Sequence, residues 1–167
     1  IANTNDGSVV KYEALARLLL VDGTVVSPSE FLNTAMEDKT FEFFSRQMMQ
    51  KVFNIYAKNS VEIAINLTYD NIRSASMLEY IKNRLEKYGG EKITFEIVET
   101  EDIEDYSIVE NFILLVKEYG CKISIDDFGS GYSNFTNLIK LNIDYIKIDG
   151  SIVSKSITDE KAFVMIR

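Results

Sequence analysis

Four short runs in this chain alternate bulky apolar residues with small or polar ones, and each polar series ends on a side chain that can hold an ion or a phosphate. Ile63, Ile65 and Leu67 oppose Ala64 and Asn66; Ile93, Phe95 and Ile97 oppose Thr94 and Glu96. Ile123 and Ile125 oppose Ser124 and Asp126; Ile146 and Ile148 oppose Tyr145 and Lys147. A period of two is the mark of a strand with unlike faces. Between these runs lie segments of helical spacing. Phe41 to Lys58 carries Phe44, Met48, Val52 and Ile55 as a core-facing stripe; Ala75 to Tyr88 stops at Gly89-Gly90, and Ser107 to Tyr119 stops at Gly120. A further strand is expected from Val9 to Ala14, and further helices from Glu30 to Met36, from Asn134 to Lys140, and starting at Asp159. Strand–helix repeats predict parallel strands joined by right-handed crossovers. An open doubly wound sheet has helices on both faces, so its strands tend to be apolar throughout. Here one face is polar strand after strand. That fits a TIM-like (β/α)8 barrel, with helices over its outer face and a polar mouth at the strand C-termini. Such a barrel takes about 250 residues. This chain has 167, so an incomplete barrel of about five to six strands is expected, whose open edges favour self-association.

In a barrel the strand-end groups Glu13, Asn66, Glu96, Asp126, Asp127, Lys147 and Asp149 converge on one rim. Taken singly, such an acid is more often a helix cap or a solvated loop residue, Asn66 a turn former and Lys147 a surface ion-pair partner. Their shared parity on successive strands favours a site. Converging carboxylates repel one another, and bound divalent cations relieve that cost. The sequence has no histidine and one cysteine, Cys121. Imidazole acid–base chemistry, Ser-His triads and an internal disulfide are thereby excluded. The remaining donors are hard oxygens, which select Mg or Mn over Zn. Two such ions can acidify a water and stabilise charge on a phosphoryl group, with Lys147 holding the water or balancing phosphate charge. A net charge of −8 argues against a nucleic-acid polymer as partner. The segment Asp126 to Ser133, D-D-F-G-S-G-Y-S, follows a strand, and its two glycines allow a shaped loop.

These residues resemble the EAL-domain family. Glu13-Ala14-Leu15 followed by Arg17 matches its E-A-L-x-R signature, and Pro28 with Phe31 its P-x-x-F. Asn66-Leu67-Thr68 resembles N-L-S, and Glu96-Ile97-Val98-Glu99 resembles E-x-T-E with Val98 in place of threonine. Asp126 to Ser133 matches a family loop, and Lys147-Ile148-Asp149 is K-I-D. The resemblance implies metal-dependent hydrolysis of cyclic di-GMP to linear pGpG, using two Mg or Mn ions. It implies Glu13, Asn66, Glu96 and Asp126 as metal ligands, with Asp127 holding the second ion. Lys147 would position the attacking water with Asp149 nearby, Arg17 would contact a substrate phosphate, and Glu99 would anchor the 126–133 loop, which links metal binding to dimerisation. A homodimer in the bacterial cytoplasm is implied, with GGDEF or sensor domains and any membrane tether in other parts of the parent protein. The single cysteine fits a reducing cytosol. The family's Y-Q-P strand would precede Ile1, and its E-G-V-E motif and a later glutamine would follow Arg167. Residues 1–167 are therefore read as one partial EAL domain, expected to show little hydrolysis alone. The alternative is a catalytically silent EAL domain that receives cyclic di-GMP or docks a protein. A degenerate domain typically lacks some of the ligands, and none of Glu13, Asn66, Glu96, Asp126 or Lys147 is missing.

Overall fold

The computed structural model describes residues 1–38, 40–58, 61–98, 103–129, 141–159 and 163–164. The alternating runs form parallel strands: β1 (Tyr12–Ala14), β4 (Ile63–Leu67), β5 (Ile93–Val98), β6 (Lys122–Phe128) and β7 (Tyr145–Ile148) make one sheet in the order β1-β4-β5-β6-β7. A flat sheet of this kind would hold its first and fifth strands roughly 19 Å apart, at about 4.8 Å per strand. Yet Lys147 Nζ on β7 lies 3.5 Å from Glu13 Oε2 on β1. The sheet is therefore curled into a half-barrel, with Glu13 and Lys147 reaching across its concave face.

The convex face carries the core. Ile65, Leu67, Ile93, Phe95, Ile97 and Ile123 are buried there. They pack with Met49, Val52 and Phe53 of α2 (Phe41–Tyr56), Met77, Ile81 and Leu85 of α4 (Ala75–Tyr88), and Val109, Phe112 and Val116 of α5 (Tyr106–Lys117). Phe95 and Phe112 meet edge to face, with ring centroids 5.5 Å apart. The helix α1 (Pro28–Glu37) starts at a capping box in which Ser27 N donates to Glu30 Oε1, with Pro28 in the first turn.

The structure differs from the sequence reading in four places. The α2 stripe is partly rotated: Val52 is buried and Met48 packs against the core as expected, but Met49 and Phe53 are buried too, whereas Ile55 is 50% exposed. The helix is apolar on more than one line, and only the position of the sheet chooses between them. A two-stranded antiparallel hairpin, β2 (Leu18–Leu19) with β3 (Val25–Val26), was not expected, its strands being too short for periodicity to register. Two short helices were also missed: α3 (Tyr69–Arg73), capped by Thr68 accepting from Asn71 N, and α6 (Gly150–Ser156), capped by Asp149. Finally, β1 and β7 are edge strands, and the burial expected of one face on every strand fails there: Tyr12, Ile146 and Ile148 are exposed. The expected helix from Asn134 to Lys140 lies outside the described residues. No helix among the described residues is long and apolar enough to cross a membrane.

Cys121, the residue before β6, is 3% exposed, and burial pushes its thiol up to about 12 from an ordinary value near 9.0. The neutral thiol therefore favours the fold fully below pH 9, and this contribution is lost as pH rises toward 12. The expected result is negligible labelling of Cys121 by Ellman's reagent at pH 8 in the native protein and rapid labelling in denaturant. Fast native labelling would show that the thiol is not packed as described.

Candidate metal centre

The strand register determines which side chains can meet. Glu13 pairs with Ala64, Asn66 with Glu96, and Glu96 with Ser124 across β1, β4, β5 and β6. The curl of the sheet then turns these same-parity side chains toward one another. Asn66 Nδ2 donates to Glu13 Oε1 at 2.9 Å. Lys147 Nζ donates to Glu96 Oε2 at 2.8 Å and to Asp126 Oδ2 at 2.9 Å. One carboxylate oxygen each from Glu13, Glu96 and Asp126 lies within 4.8 Å of the others. Five of the sequence-derived site residues thus form one constellation: Glu13, Asn66, Glu96, Asp126 and Lys147.

Their burial is graded, with Glu96 fully buried, Asp126 18% exposed and Lys147 30% exposed. Burial raises the Glu96 carboxyl above its ordinary range, and the charges of Glu13 and Asp126 add to this against the opposing pull of Lys147. Burial also disfavours the Lys147 ammonium, but its bonds to Glu96 and Asp126 outweigh that and hold it above the usual lysine value. One ammonium thus balances three converging carboxylates, leaving the centre electron-rich.

The donor set fits a divalent cation. Asn66 Oδ1 and Glu96 Oε1 are buried without a hydrogen-bond partner, an expensive arrangement unless something electropositive binds there. Both face the same inner surface as the carboxylate cluster, and all the donors are oxygens of the kind Mg and Mn prefer.

The other expected site residues are placed differently. Asp127 is exposed and adopts a left-handed φ of 54°, where β6 and β7 slip register between Ile125 and Phe128. Desolvation and the negative charges of Asp126 and Asp149 raise its carboxyl. Gly129 follows with φ 88°, and a Cβ there would strike the side chain of Ile152 in α6, so this step of the loop needs glycine. Asp149 caps α6, accepting from Ser151 N at 2.8 Å, which lowers its carboxyl. Arg17 is exposed beyond β1, its guanidinium donating to Ala16 O. Glu99 lies outside the described residues, as does the loop from Ser130 to Ser133.

One feature of the site had no signal in the sequence. A hollow of about 300 Å³ borders the rim, lined by Ala14, Leu15, Pro28, Phe44 and Met48 together with Asn66 and Asp126. It is mostly apolar, with Asn66 and Asp126 among its few polar groups, as ligand sites commonly are. Phe44, expected in the core, lines this hollow instead, while Met48 lines it and also packs against the core.

A family model described as the EAL domain matches residues 1–167. The chain is 26% identical over 164 residues to the cyclic di-GMP phosphodiesterase PdeB of Shewanella oneidensis, covering 94% of this chain and 19% of that protein. It is 30% identical over 156 residues to the cyclic di-GMP phosphodiesterase NbdA of Pseudomonas aeruginosa, covering 89% and 20%. The chain spans about a fifth of the length of these relatives. Its fold matches the solved structure of the PaMucR phosphodiesterase in complex with c-di-GMP, with a TM-score of 0.85 at 21% identity, covering 99% of this chain and 70% of that one.

Proposed function

Because the chain belongs to the EAL-domain family, we propose that the protein containing it hydrolyses cyclic di-GMP to linear pGpG at the rim of the barrel. The observation that carries this reading is the meeting of Glu13, Glu96 and Asp126 oxygens within 4.8 Å of one another, beside the unpartnered oxygens of Asn66 and Glu96. Glu13, Asn66, Glu96 and Asp126 hold a divalent ion, Mg or Mn, and Asp127 holds a second. Bound there, such ions supply an acidified water and stabilise charge on the phosphoryl oxygens during in-line displacement.

The chain's own groups do the rest. Lys147, with three donors and a firmly held positive charge, orients the attacking water and offsets charge on the phosphate. Its present partners Glu96 and Asp126 keep it aimed into the rim. Arg17 stands free enough to swing from Ala16 O onto a substrate phosphate, which its planar fork suits. The hollow beside Phe44 and Met48 takes a flat base. Asp149 stabilises the start of α6 next to Lys147 and Ile148, and the family resemblance gives Glu99 the role of anchoring the 126–133 loop. The family resemblance further supports a homodimer, flanking GGDEF or sensor domains, and a bacterial cytoplasmic setting.

Incubating the full-length protein with cyclic di-GMP and millimolar Mg²⁺ or Mn²⁺ is expected to yield linear pGpG by chromatography, and chelation should stop it. Folded, metal-loaded protein that binds cyclic di-GMP but never cleaves it would replace this reading with that of a silent receptor.

A further inference from the structure

Among the described residues, three buried oxygens without a hydrogen-bond partner lie in one transverse row on the inner face of the sheet: Asn66 Oδ1, Glu96 Oε1 and Ser124 Oγ. The row follows from register, since Asn66 pairs with Glu96 and Glu96 with Ser124. The metal reading accounts for the first two. It does not account for Ser124, which is 0% exposed and sits two residues before Asp126 on the same face of β6. A hydroxyl sealed from solvent with nothing to bond is costly, and native interiors rarely leave one so.

The nearest inner-face neighbour of Ser124 on β5 is Glu96, whose Oε1 is equally unpartnered while its Oε2 is held by Lys147. Paired side chains on adjacent strands start about 4.8 Å apart, and a water can bridge two such polar groups that do not bond directly. We propose that Ser124 is a positioning residue, holding the Glu96 carboxylate through one water in the orientation that receives the metal. The inference rests on the metal reading above and concerns how that ligand is held. Ligating carboxylates are themselves hydrogen-bonded, and loss of such a partner costs roughly tenfold or more in metal affinity. If the hydroxyl held nothing, its removal would instead leave metal binding alone and relieve a desolvation cost.

The test is calorimetric titration of Mn²⁺ into the full-length protein, its Ser124→Ala variant and its Ser124→Thr variant, with metal-free melting temperatures measured alongside. Mn²⁺ affinity is expected to fall about tenfold in Ser124→Ala and to stay within about threefold of wild type in Ser124→Thr, which keeps the hydroxyl. Losing one hydrogen bond should lower the metal-free melting temperature of Ser124→Ala by no more than about 2–4 °C, and a larger fall would mark the residue as merely structural and overturn the inference. An alanine variant that binds Mn²⁺ within about twofold of wild type overturns the inference. Wild-type protein that binds no Mn²⁺ removes the metal reading itself, and the inference with it.

Discussion

Replacing Lys147 with methionine is expected to lower the melting temperature of the metal-free protein by about 6–12 °C. The reason is the electrostatic arrangement it leaves behind. Lys147 is the ammonium that donates to Glu96 and Asp126, and it stands 3.5 Å from Glu13. Methionine keeps the length and packing of the stem but removes the charge, so three carboxylates face one another, one of them fully buried. Stripping the partner from a buried ion costs about 3–5 kcal/mol. The partial exposure of Lys147, Glu13 and Asp126 argues for the lower end, about 3 kcal/mol. In a domain of this size each kcal/mol moves the midpoint by roughly 2–4 °C. Mn²⁺ should restore much of the loss, and should stabilise the variant more than the wild type, because no ammonium then competes for the carboxylates. Thermal melts followed by circular dichroism with and without Mn²⁺ provide the check. A drop under about 2 °C, or no recovery with metal, would mean that the cluster is solvated and that Lys147 does not neutralise it.

Replacing Glu96 with glutamine should act in opposite directions on stability and on function. The carboxylate is fully buried, and burial already raises its pKa, so its charge is carried at a cost to the fold. Glutamine has the same shape and keeps one oxygen for Lys147, so the metal-free protein should be as stable as wild type or slightly more so. Metal affinity and hydrolysis should both collapse. Losing a group that merely supports a ligand costs about 10–100-fold. Losing the buried ligand charge itself is expected to exceed about 100-fold in cyclic di-GMP turnover by the full-length protein. Parallel measurement of Mn²⁺ binding, turnover and melting temperature separates the cases. Loss of activity with equal loss of stability would mark Glu96 as structural; retained turnover would remove it from the proposed centre.

The legible parts of the site are those written locally. Glu96 and Asp126 each follow an alternating run, so their strand, their face and their position near the strand end are all visible in a window of six or seven residues. The Gly89-Gly90 and Gly120 helix stops are equally local, and α4 and α5 end where they predict, within a residue or two. Asp149 carried an ambiguity of the opposite kind. A strand-end aspartate is chemically suited both to a site and to a helix cap, and the structure shows it capping α6. The α2 stripe is only partly as expected, with Val52 buried and Met48 packed against the core but Phe44 and Ile55 outside it, because the helix offers a second apolar line through Met49 and Phe53 and nothing within the helix ranks the two.

By itself, then, the sequence determined that there would be parallel strands with one polar face, which residues stand on that face, and that their chemistry would be that of oxygen donors and one lysine. Side-chain parity and donor type are properties of neighbouring residues, so no long-range information is needed. Only the tertiary structure decided that Glu13 and Lys147 meet across five strands, that Phe44 lines a hollow rather than the core, and that Asn66, Glu96 and Ser124 share a row of unsatisfied oxygens. Those facts depend on the curl and register of the sheet, which arise from packing the helices on its convex face. That packing couples residues more than a hundred positions apart, beyond the reach of any local pattern.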